Sequence, residues 1–258
     1  MSVLIRKPID FIVTSLLWVY FIAGFALMFV PYISWSKIRG KTGQLEYQAF
    51  FHVFFRVFFR LTRLLSPGLT ISIDPGLKAV QSSIIIGNHL SYLDPLLMVA
   101  TFPRHKTIVK SSFFQVPVFG WFLRQAGYIP SSANGKHMAL VVKHVGEMAD
   151  YLATGGNLFI FPEGTRSRTG HLNAFREGAF NIARQCQAPI AIVQFRNTEQ
   201  LFKPDTGLFN TCQKIRIDIK LIDTITPDRP EFDSSEALSR TARQILEREG
   251  AKDNQDLR

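Results

Sequence analysis

Residues 82–95 read S-S-I-I-I-G-N-H-L-S-Y-L-D-P, an apolar run followed by a polar turn. Residues 82–87 form a short apolar run, which is typical of a buried strand. Asp94 and Pro95 predict a helix start, because Asp caps a first turn and proline is tolerated inside it. We expect this helix to continue through Ala100. A buried strand that leads through a polar turn into a helix is the repeating unit of α/β proteins.

The same alternation of strands and helices continues along the chain. Strands are predicted at residues 106–109, 127–130, 157–161, 190–195 and 215–221. Helices are predicted at residues 114–125, 137–152, 175–187 and 234–249, the last one capped by Ser234 or Ser235. In residues 215–221 apolar and charged residues alternate, which predicts one solvent-facing side. The sequence therefore predicts an α/β fold with a mostly parallel sheet flanked by helices.

Composition narrows the class of partner. Of the 258 residues, 47% are hydrophobic, which argues against disorder. The chain has 30 Lys and Arg but 20 Asp and Glu, so its net charge is +10. A basic chain favours nucleic acid or anionic lipid. The chain has 23 Phe, with a dense block before Leu65, so we expect membrane lipids and no nucleic acid. Cys186 and Cys212 lack metal or redox spacing and are predicted to be reduced core residues.

Residues 11–30 carry no charge and are long enough to cross a hydrocarbon layer of about 30 Å. A cleaved signal peptide is the alternative, but the run is long for one and no small-residue cleavage site follows it. A helix bent at Pro31 that enters and leaves one leaflet is a second alternative. The positive-inside rule does not decide, because cations flank both ends of the run, namely Arg6, Lys7, Lys37, Arg39 and Lys41.

Residues 47–65 form a second N-terminal helix of another kind. Arg56, Arg60 and Arg63 share one helical face with His52, and phenylalanines fill much of the rest. This pattern favours a helix that lies in the membrane interface, and the alternative is a buried helix with snorkelling arginines. We therefore predict that residues 1–65 are membrane-anchoring helices, and that residues 66–258 are the domain that carries the chemistry.

His89 and Asp94 are the candidate catalytic pair. They are five residues apart across a turn that enters a helix, so the carboxylate can reach back to one imidazole nitrogen. The other nitrogen then faces the open end of the sheet, where it can take a proton from an alcohol near neutral pH. Asp94 would fix the tautomer and stabilise the imidazolium. No nucleophilic Ser or Cys is required if the hydroxyl of the substrate attacks.

Residues 161–168, F-P-E-G-T-R-S-R, follow another apolar strand. Gly164 permits close backbone approach, and the guanidinium groups of Arg166 and Arg168 are forked donors that suit a phosphate. Lys110, at the end of the strand 106–109, adds a cation at the same edge of the sheet. A base, an orienting carboxylate and a phosphate clamp together predict acyl transfer to a phosphorylated alcohol.

These segments resemble the blocks of the glycerolipid acyltransferase family, which includes the bacterial 1-acylglycerol-3-phosphate acyltransferases. Residues 88–94 match its N-H-x-x-x-x-D box, and residues 161–166 match its F-P-E-G-T-R block. Residues 175–180 match F-x-x-G-A-F, and residues 188–190 are similar to the final V-P-[IV] block. Lys110, Pro117, Gly120 and Gly127 fit the second block. The resemblance covers about residues 82–195, in family order.

The resemblance implies that His89 is the general base and Asp94 its orienting partner. It implies an acyl-CoA or acyl-carrier-protein donor, a lysophospholipid acceptor such as 1-acyl-sn-glycerol-3-phosphate, and neither cofactor nor metal. The protein would work at the cell membrane with its catalytic domain on the cytoplasmic side, where acyl thioesters are made. The residues implied to bind substrate are Asn88, Ser91, Lys110, Glu163, Gly164, Thr165 and Arg166.

One departure leaves the acceptor open. Many family members carry an Asp-Arg pair after the glycine at Gly127, but residues 127–133 read G-Y-I-P-S-S-A, and Lys136 is the candidate replacement. The alternatives are therefore another lipid acceptor, such as a lyso-ornithine lipid, a hopanoid or pigment alcohol, or a lipid A-like sugar, and a non-catalytic lipid-binding protein. The other histidines are predicted to be solvated, namely His52, His105, His137, His144 and His171.

Overall fold

The computed structural model describes residues 3–40, 43–131, 138–167, 169, 171–203 and 207–256. The chain divides into two compact units, and each unit is made of three segments that are separate in the sequence. Unit 1 contains Met1–Ser72, Leu90–Pro103 and Phe195–Asp218, and unit 2 contains Ile73–His89, Arg104–Gln194 and Ile219–Arg258. The predicted domain boundary between residues 65 and 66 stays a prediction.

The described elements run in the following order. The first helices are α1 (Val3–Val19), a π-helical turn (Tyr20–Gly24), α2 (Phe25–Ile38) and α3 (Gln44–Leu65). Then come β1 (Leu69–Ile73), α4 (Pro75–Ala79), β2 (Ile84–Gly87), α5 (Leu93–Thr101), β3 (His105–Val109), a 3₁₀ turn (Ser111–Gln115), α6 (Phe119–Gln125) and β4 (Ile129–Pro130). The chain continues through α7 (Met138–Gly146), α8 (Met148–Ala153), β5 (Asn157–Ile160), α9 (Gly178–Cys186), β6 (Ile190–Arg196), α10 (Thr198–Leu201), β7 (Phe202–Lys203), β8 (Leu208–Phe209), β9 (Ile215–Ile225) and α11 (Ser235–Asp256).

Unit 2 is built on a sheet with the strand order β9-β6-β2-β5-β3-β4. Strand β2 pairs in parallel with β5 and β6, and β3 pairs in parallel with β5 and β4. Ile84 lies opposite both Leu158 and Ile190, and all three are buried because helices cover the sheet. The core of unit 2 joins these strands to α8, α9 and α11. The prediction of a mostly parallel sheet flanked by helices is confirmed.

Strand β9 confirms the prediction of one solvent-facing side. Ile215, Ile217 and Ile219 are buried, and Arg216 and Lys220, which alternate with them, are exposed. In unit 1, β9 begins beside β1, where the N–H of Ile215 donates to the carbonyl of Gly68 at 3.0 Å. Strand β1, α4 and the short β7–β8 hairpin were not among the predicted elements, because each is too short for a period to stand out.

The N-terminal helices of unit 1 follow one another without a break at Pro31, which lies inside α2. Among the described residues, Arg6–Ile38 is the one helix long and apolar enough to cross a membrane. This criterion uses length and composition alone, and a signal sequence meets it as well. The helix is also tied to the rest of unit 1, because Asp10 accepts hydrogen bonds from the N–H and hydroxyl of Thr211 at 2.8 and 2.6 Å.

Helix α3 buries its phenylalanines against protein. The Phe54 ring stacks on Tyr20 with centroids 4.8 Å apart, and the Phe50 ring meets Phe25 edge-on at 5.3 Å. Six α3 phenylalanines are buried, while the three arginines of the stripe are exposed. Of the two alternatives for residues 47–65, the structure therefore shows the buried helix. The buried phenylalanines are Phe50, Phe51, Phe54, Phe55, Phe58 and Phe59.

Three predicted helix boundaries were wrong in detail. Residues 114–125 form a 3₁₀ turn and a separate helix α6, because Val118 has a positive φ of 63° between them. The helix predicted at 137–152 is two helices in the described residues, α7 and α8, which are separated at Glu147. Asp94 does not occupy the N-cap of α5, which begins at Leu93 after Tyr92. Ser234 does cap α11, since its hydroxyl accepts from the N–H of Ala237 at 3.1 Å.

The predicted solvation of the other histidines was wrong at three positions. His105 is fully buried with Nε2 2.5 Å from the Tyr128 hydroxyl, and His144 is buried as well. His52 is half-buried, with Nδ1 3.0 Å from the carbonyl oxygen of Val99 on α5. His171 is exposed, as predicted, and His137 lies outside the described residues. Cys186 and Cys212 are free thiols and both are half-buried, and Cys186 packs against the core of unit 2.

Candidate active site

Three predicted site segments follow neighbouring strands of unit 2. His89 comes two residues after β2, Phe161 directly after β5, and Lys110 directly after β3. These strands are parallel and adjacent, so their carboxyl ends lie at the same edge of the sheet. The structure therefore places these segments at one edge, where α/β proteins build their sites.

The backbone of His89 is held on both sides by the segment that follows β5. Its N–H donates to Oε1 of Glu163 at 2.9 Å, and its carbonyl oxygen accepts from the N–H of Ser167 at 2.8 Å. Its ring stacks on Phe161, with centroids 4.3 Å apart and planes inclined by 21°. These contacts fix the position of the imidazole at the sheet edge, as a general base requires.

Glu163 uses its carboxylate to bind backbone. Its side chain is 4% exposed, and its second oxygen, Oε2, accepts from the N–H of Asn173 at 2.9 Å. Charge-assisted hydrogen bonds of this kind are stronger than neutral ones, so Glu163 ties the loop after β5 to the loop after β2. Its predicted contact with substrate stays a prediction, and the structure gives it a role in positioning His89.

Gly164 and Arg176 lie against each other at the turn of the same segment. Gly164 has a φ of 69°, and a Cβ on it would lie 2.8 Å from Nε of Arg176. The N–H of Arg176 donates to the carbonyl of Pro162 at 2.8 Å, which fixes this approach, and the side chain of Arg176 is exposed. Glycine at position 164 therefore leaves room for a guanidinium on the F-P-E-G-T-R turn.

Asp94 and Ser91 belong to unit 1, where they organise the start of α5. Oδ2 of Asp94 accepts from the N–H groups of Leu90 and Ser91, both at 2.7 Å. The Ser91 hydroxyl accepts from the N–H of Leu93 at 3.2 Å. Asp94 and Ser91 are both buried, and two N–H donors stabilise the charge of the carboxylate.

A second carboxyl group lies close enough to Asp94 to feel its charge. Glu199 is on α10, which packs on α5. Burial raises the pKa of Glu199, and the negative charge of Asp94 raises it further. Both effects favour the protonated form of Glu199. No sequence pattern pointed to Glu199, because it lies 105 positions from Asp94 and belongs to none of the recognised blocks.

The remaining predicted residues differ in accessibility. Asn88 and Arg166 are half-buried, whereas Lys110, Gly164 and Thr165 are exposed. Arg168 and Lys136 lie outside the described residues. Arg176 was missed, although it stands inside the F-x-x-G-A-F block, because its approach to Gly164 depends on the path of the chain between them. In the part of the chain that the structure describes, no three His, Cys, Asp or Glu side chains come together as metal ligands would.

A buried polar cluster lies elsewhere in unit 2. Lys106 on β3 is 1% exposed, and its Nζ lies 4.4 Å from the centroid of the Tyr151 ring. Burial lowers the pKa of Lys106. Nδ1 of His144 is 3.7 Å from Oε2 of Glu147. Burial, with the charge of Lys106, lowers the pKa of His144 to about 4, so this histidine is neutral at pH 7.

Comparison with known families and curated proteins places this site in context. The family described as Acyltransferase matches residues 76–196, a span that contains all three sheet-edge segments. The chain is 35% identical over 157 residues to the 1-acyl-sn-glycerol-3-phosphate acyltransferase of Saccharomyces cerevisiae, and the match covers 58% of this chain and 51% of that protein. It is 31% identical over 146 residues to the enzyme of that name from Borreliella burgdorferi, covering 55% and 56%.

One solved structure matches nearly the whole length. It is the crystal structure of the 1-acyl-sn-glycerophosphate acyltransferase PlsC from Thermotoga maritima, with a TM-score of 0.70 and 20% identity. The match covers 96% of this chain and 97% of that one, and it shows a shared fold. In contrast, the chain spans about half the length of the curated relatives above.

Proposed function

We propose that the protein is a membrane-bound O-acyltransferase of phospholipid biosynthesis, because residues 76–196 match the family described as Acyltransferase. It moves a fatty acyl group from acyl-CoA or acyl-carrier protein to the hydroxyl of a lysophospholipid. The acceptor that the relatives favour is 1-acyl-sn-glycerol-3-phosphate, since both curated relatives carry that substrate in their names. The observation that carries the proposal is the pair of hydrogen bonds that join the backbone of His89 to the loop after β5, one to the Glu163 carboxylate and one from the N–H of Ser167.

The reaction follows from the chemistry of these residues. His89 takes the proton of the acceptor hydroxyl while the hydroxyl oxygen attacks the thioester carbonyl carbon. The new C–O bond forms, the C–S bond breaks, and the imidazolium returns its proton to the leaving thiolate, so the base is regenerated. On sequence spacing, Asp94 remains the proposed partner that holds the imidazole in the useful tautomer.

The acceptor phosphate is the proposed ligand of the exposed turn after β5. Arg166 and Lys110 are the cations proposed from the sequence, and the turn at Gly164 adds Arg176. Guanidinium groups suit this role because each offers a planar fork of donors to phosphate oxygens. Arg176 is our candidate for the cationic contact that other family members place after the glycine corresponding to Gly127.

The second candidate is a family member that acylates another lipid acceptor, which the missing Asp-Arg pair after Gly127 favours. The test is to incubate the purified full-length protein with labelled acyl-CoA or acyl-carrier protein and a panel of lyso-lipids. We expect labelled diacyl product with 1-acyl-sn-glycerol-3-phosphate, and none with a His89→Ala variant. Product with a lyso-ornithine lipid or a sugar lipid alone selects the second candidate, whereas no product from any folded preparation contradicts both.

A further inference from the structure

The segment 111–121, which leads from β3 into the first turn of α6, exposes several large apolar side chains on unit 2. Phe113, Val116, Val118 and Trp121 are between 44% and 67% exposed. Side chains of this size on one short segment form an apolar patch, and such patches mark interaction surfaces. Val142 on α7 is also exposed, at 64%.

The backbone at the tip of this segment is strained. Val118 has φ 63° and ψ −58°, and the N–H of Phe119 donates to the carbonyl of Pro117 at 2.6 Å, which is the geometry of a γ-turn. A positive φ is a genuine outlier for a β-branched residue. The side chain of Val118 is the most exposed of the four, at 67%. Strained residues of this kind cluster at functional surfaces.

Packing and hydrogen bonds to α6 hold the backbone of this segment in place. Phe114 is buried, and its carbonyl accepts from Nη2 of Arg124 at 2.6 Å. Gly120 lies so close to Phe114 that a Cβ would collide with that carbonyl, and its N–H donates to the carbonyl of Val116 at 2.8 Å. The exposed side chains therefore project from a fixed base.

The patch borders a groove of about 910 Å³ that carries positive charge. Its lining includes Arg124 and Lys143, which are both exposed, and contains no Asp or Glu among the described residues. Tryptophan, phenylalanine and aliphatic tips beside Lys and Arg make up the composition that membrane interfaces attract. Positive charge also complements anionic headgroups.

We propose that this apolar tip, formed by Phe113, Val116, Val118 and Trp121, is a second membrane contact of the protein, separate in sequence from its N-terminal helices. The tip inserts into the boundary between headgroups and acyl chains of an anionic bilayer, while Arg124 and Lys143 face lipid phosphates. This contact removes the apolar side chains from water, and Val118 is the most exposed of them. It does not depend on the proposed reaction, and a catalytically inactive protein retains it.

The depth of Trp121 in a bilayer tests the proposal directly. The chain has three tryptophans, so Trp18→Phe and Trp35→Phe leave Trp121 as the single reporter in the full-length protein. The matched control places the reporter on α11 by adding Trp121→Phe and Glu236→Trp, because the Glu236 side chain is 71% exposed on a polar helix. Both proteins are reconstituted into vesicles of phosphatidylcholine and phosphatidylglycerol, with and without dibrominated acyl chains.

Interfacial side chains lie roughly 5–10 Å deep, so we expect brominated lipid to quench Trp121 about twofold and to leave the α11 reporter nearly unchanged. Val118→Asp should reduce the quenching of Trp121 to the control level, and Val118→Asn should have a smaller effect. Both residues tolerate a positive φ better than valine, so the fold is retained. Equal quenching of Trp121 and the α11 reporter, or full quenching in a folded Val118→Asp protein, overturns the proposal.

Discussion

Oε1 of Glu163 accepts a hydrogen bond from the backbone N–H of His89 at 2.9 Å, across 74 positions of the sequence. The second oxygen of the same carboxylate accepts from the N–H of Asn173, so both carboxylate oxygens bind backbone N–H groups. Through this side chain the loop after β5 fixes the residue that is proposed to be the base. Glu163 is therefore a positioning residue for His89.

Glu163→Gln tests that role. Glutamine offers one acceptor oxygen to two backbone N–H groups, and an unsatisfied buried donor costs about 1–3 kcal/mol. We expect a lower Tm and a lower kcat with little change in the acceptor KM, because the base moves while the phosphate site stays. Steady-state kinetics on both substrates and a thermal melt provide the check. A tenfold rise in acceptor KM at constant kcat would instead support direct substrate contact.

His89→Ala should remove turnover from a folded protein. General-base catalysis typically contributes about 10²–10⁴-fold, and the acceptor hydroxyl is not ionised at neutral pH. Asp94→Asn should lower kcat less completely, through loss of the useful tautomer, and should weaken the charge-assisted bonds from Leu90 and Ser91 at the start of α5. Acyl transfer rates and circular dichroism of each variant are the measurements, and a folded His89→Ala protein with normal turnover contradicts the mechanism.

Arg166 and Arg176 should affect the acceptor more than the donor. Loss of the Arg166 guanidinium from a phosphate should cost about 2–5 kcal/mol, as when one partner of a buried charge pair is truncated. For Arg176→Ala we expect about 1.5–3 kcal/mol, the value of a hydrogen bond to a charged group, seen as a raised acceptor KM.

Arg184→Ala is the matched control for Arg176, because Arg184 is an exposed arginine on the neighbouring helix α9. It should leave both KM values unchanged. The comparison is made with phosphorylated and phosphate-free acceptors, and the Arg176 effect should appear only with the former. Equal effects of Arg176→Ala on the two acceptors would refute a phosphate contact.

His144 should make the fold sensitive to mild acid. Its pKa is lowered from 6.5 to about 4, by burial first and by Lys106 next, with a smaller opposing effect of Glu147. The unfolded chain therefore binds the proton first, and the stability that is present above pH 6.5 is lost as the pH falls towards 4. The loss is at most about 3 kcal/mol. Thermal melts between pH 7 and 4 should show a steeper decline for the wild type than for His144→Leu, and parallel declines would contradict the effect.

Residues up to Gly40 should hold the protein on membranes. The helix Arg6–Ile38 is apolar enough to span, so its deletion should release much of the protein while some activity on detergent-dispersed substrate remains. The deletion also removes the Asp10 contacts with Thr211, so we expect a lower Tm. Asp10→Ala separates the two effects, since it should lower Tm without releasing the protein. Complete sedimentation of the truncated protein after a high-salt wash would show that the anchor lies elsewhere.

The exposed arginines of α3 should add attraction to anionic lipid, roughly 1 kcal/mol each near the surface. Replacing Arg56, Arg60 and Arg63 by Gln should weaken binding to anionic vesicles much more than to neutral ones. Because the three arginine side chains are exposed, we expect the substituted protein to stay folded. Flotation with the two vesicle types measures it, and equal loss on both would contradict an electrostatic role.

Features that depend on residues close together in the sequence could be predicted from it. The apolar runs of β2 and β5, the alternation along β9 and the cap of α11 are local patterns, and the structure confirms them. The two blocks that are proposed to carry the chemistry were equally recognisable, because each follows a strand within a few residues. Periodicity and capping act over one or two turns of chain, so they leave their mark in the sequence.

Features that join distant positions of the chain could be seen only in the tertiary structure. The phenylalanines of α3 looked lipid-facing by pattern, but the aromatic rings of the preceding helices cover them. The partners of Glu163, the placement of Arg176 on Gly164 and the burial of His144 depend on how separate segments pack. An apolar side chain is equally apolar beside lipid or protein, and a polar one shows no partner until the chain has folded around it.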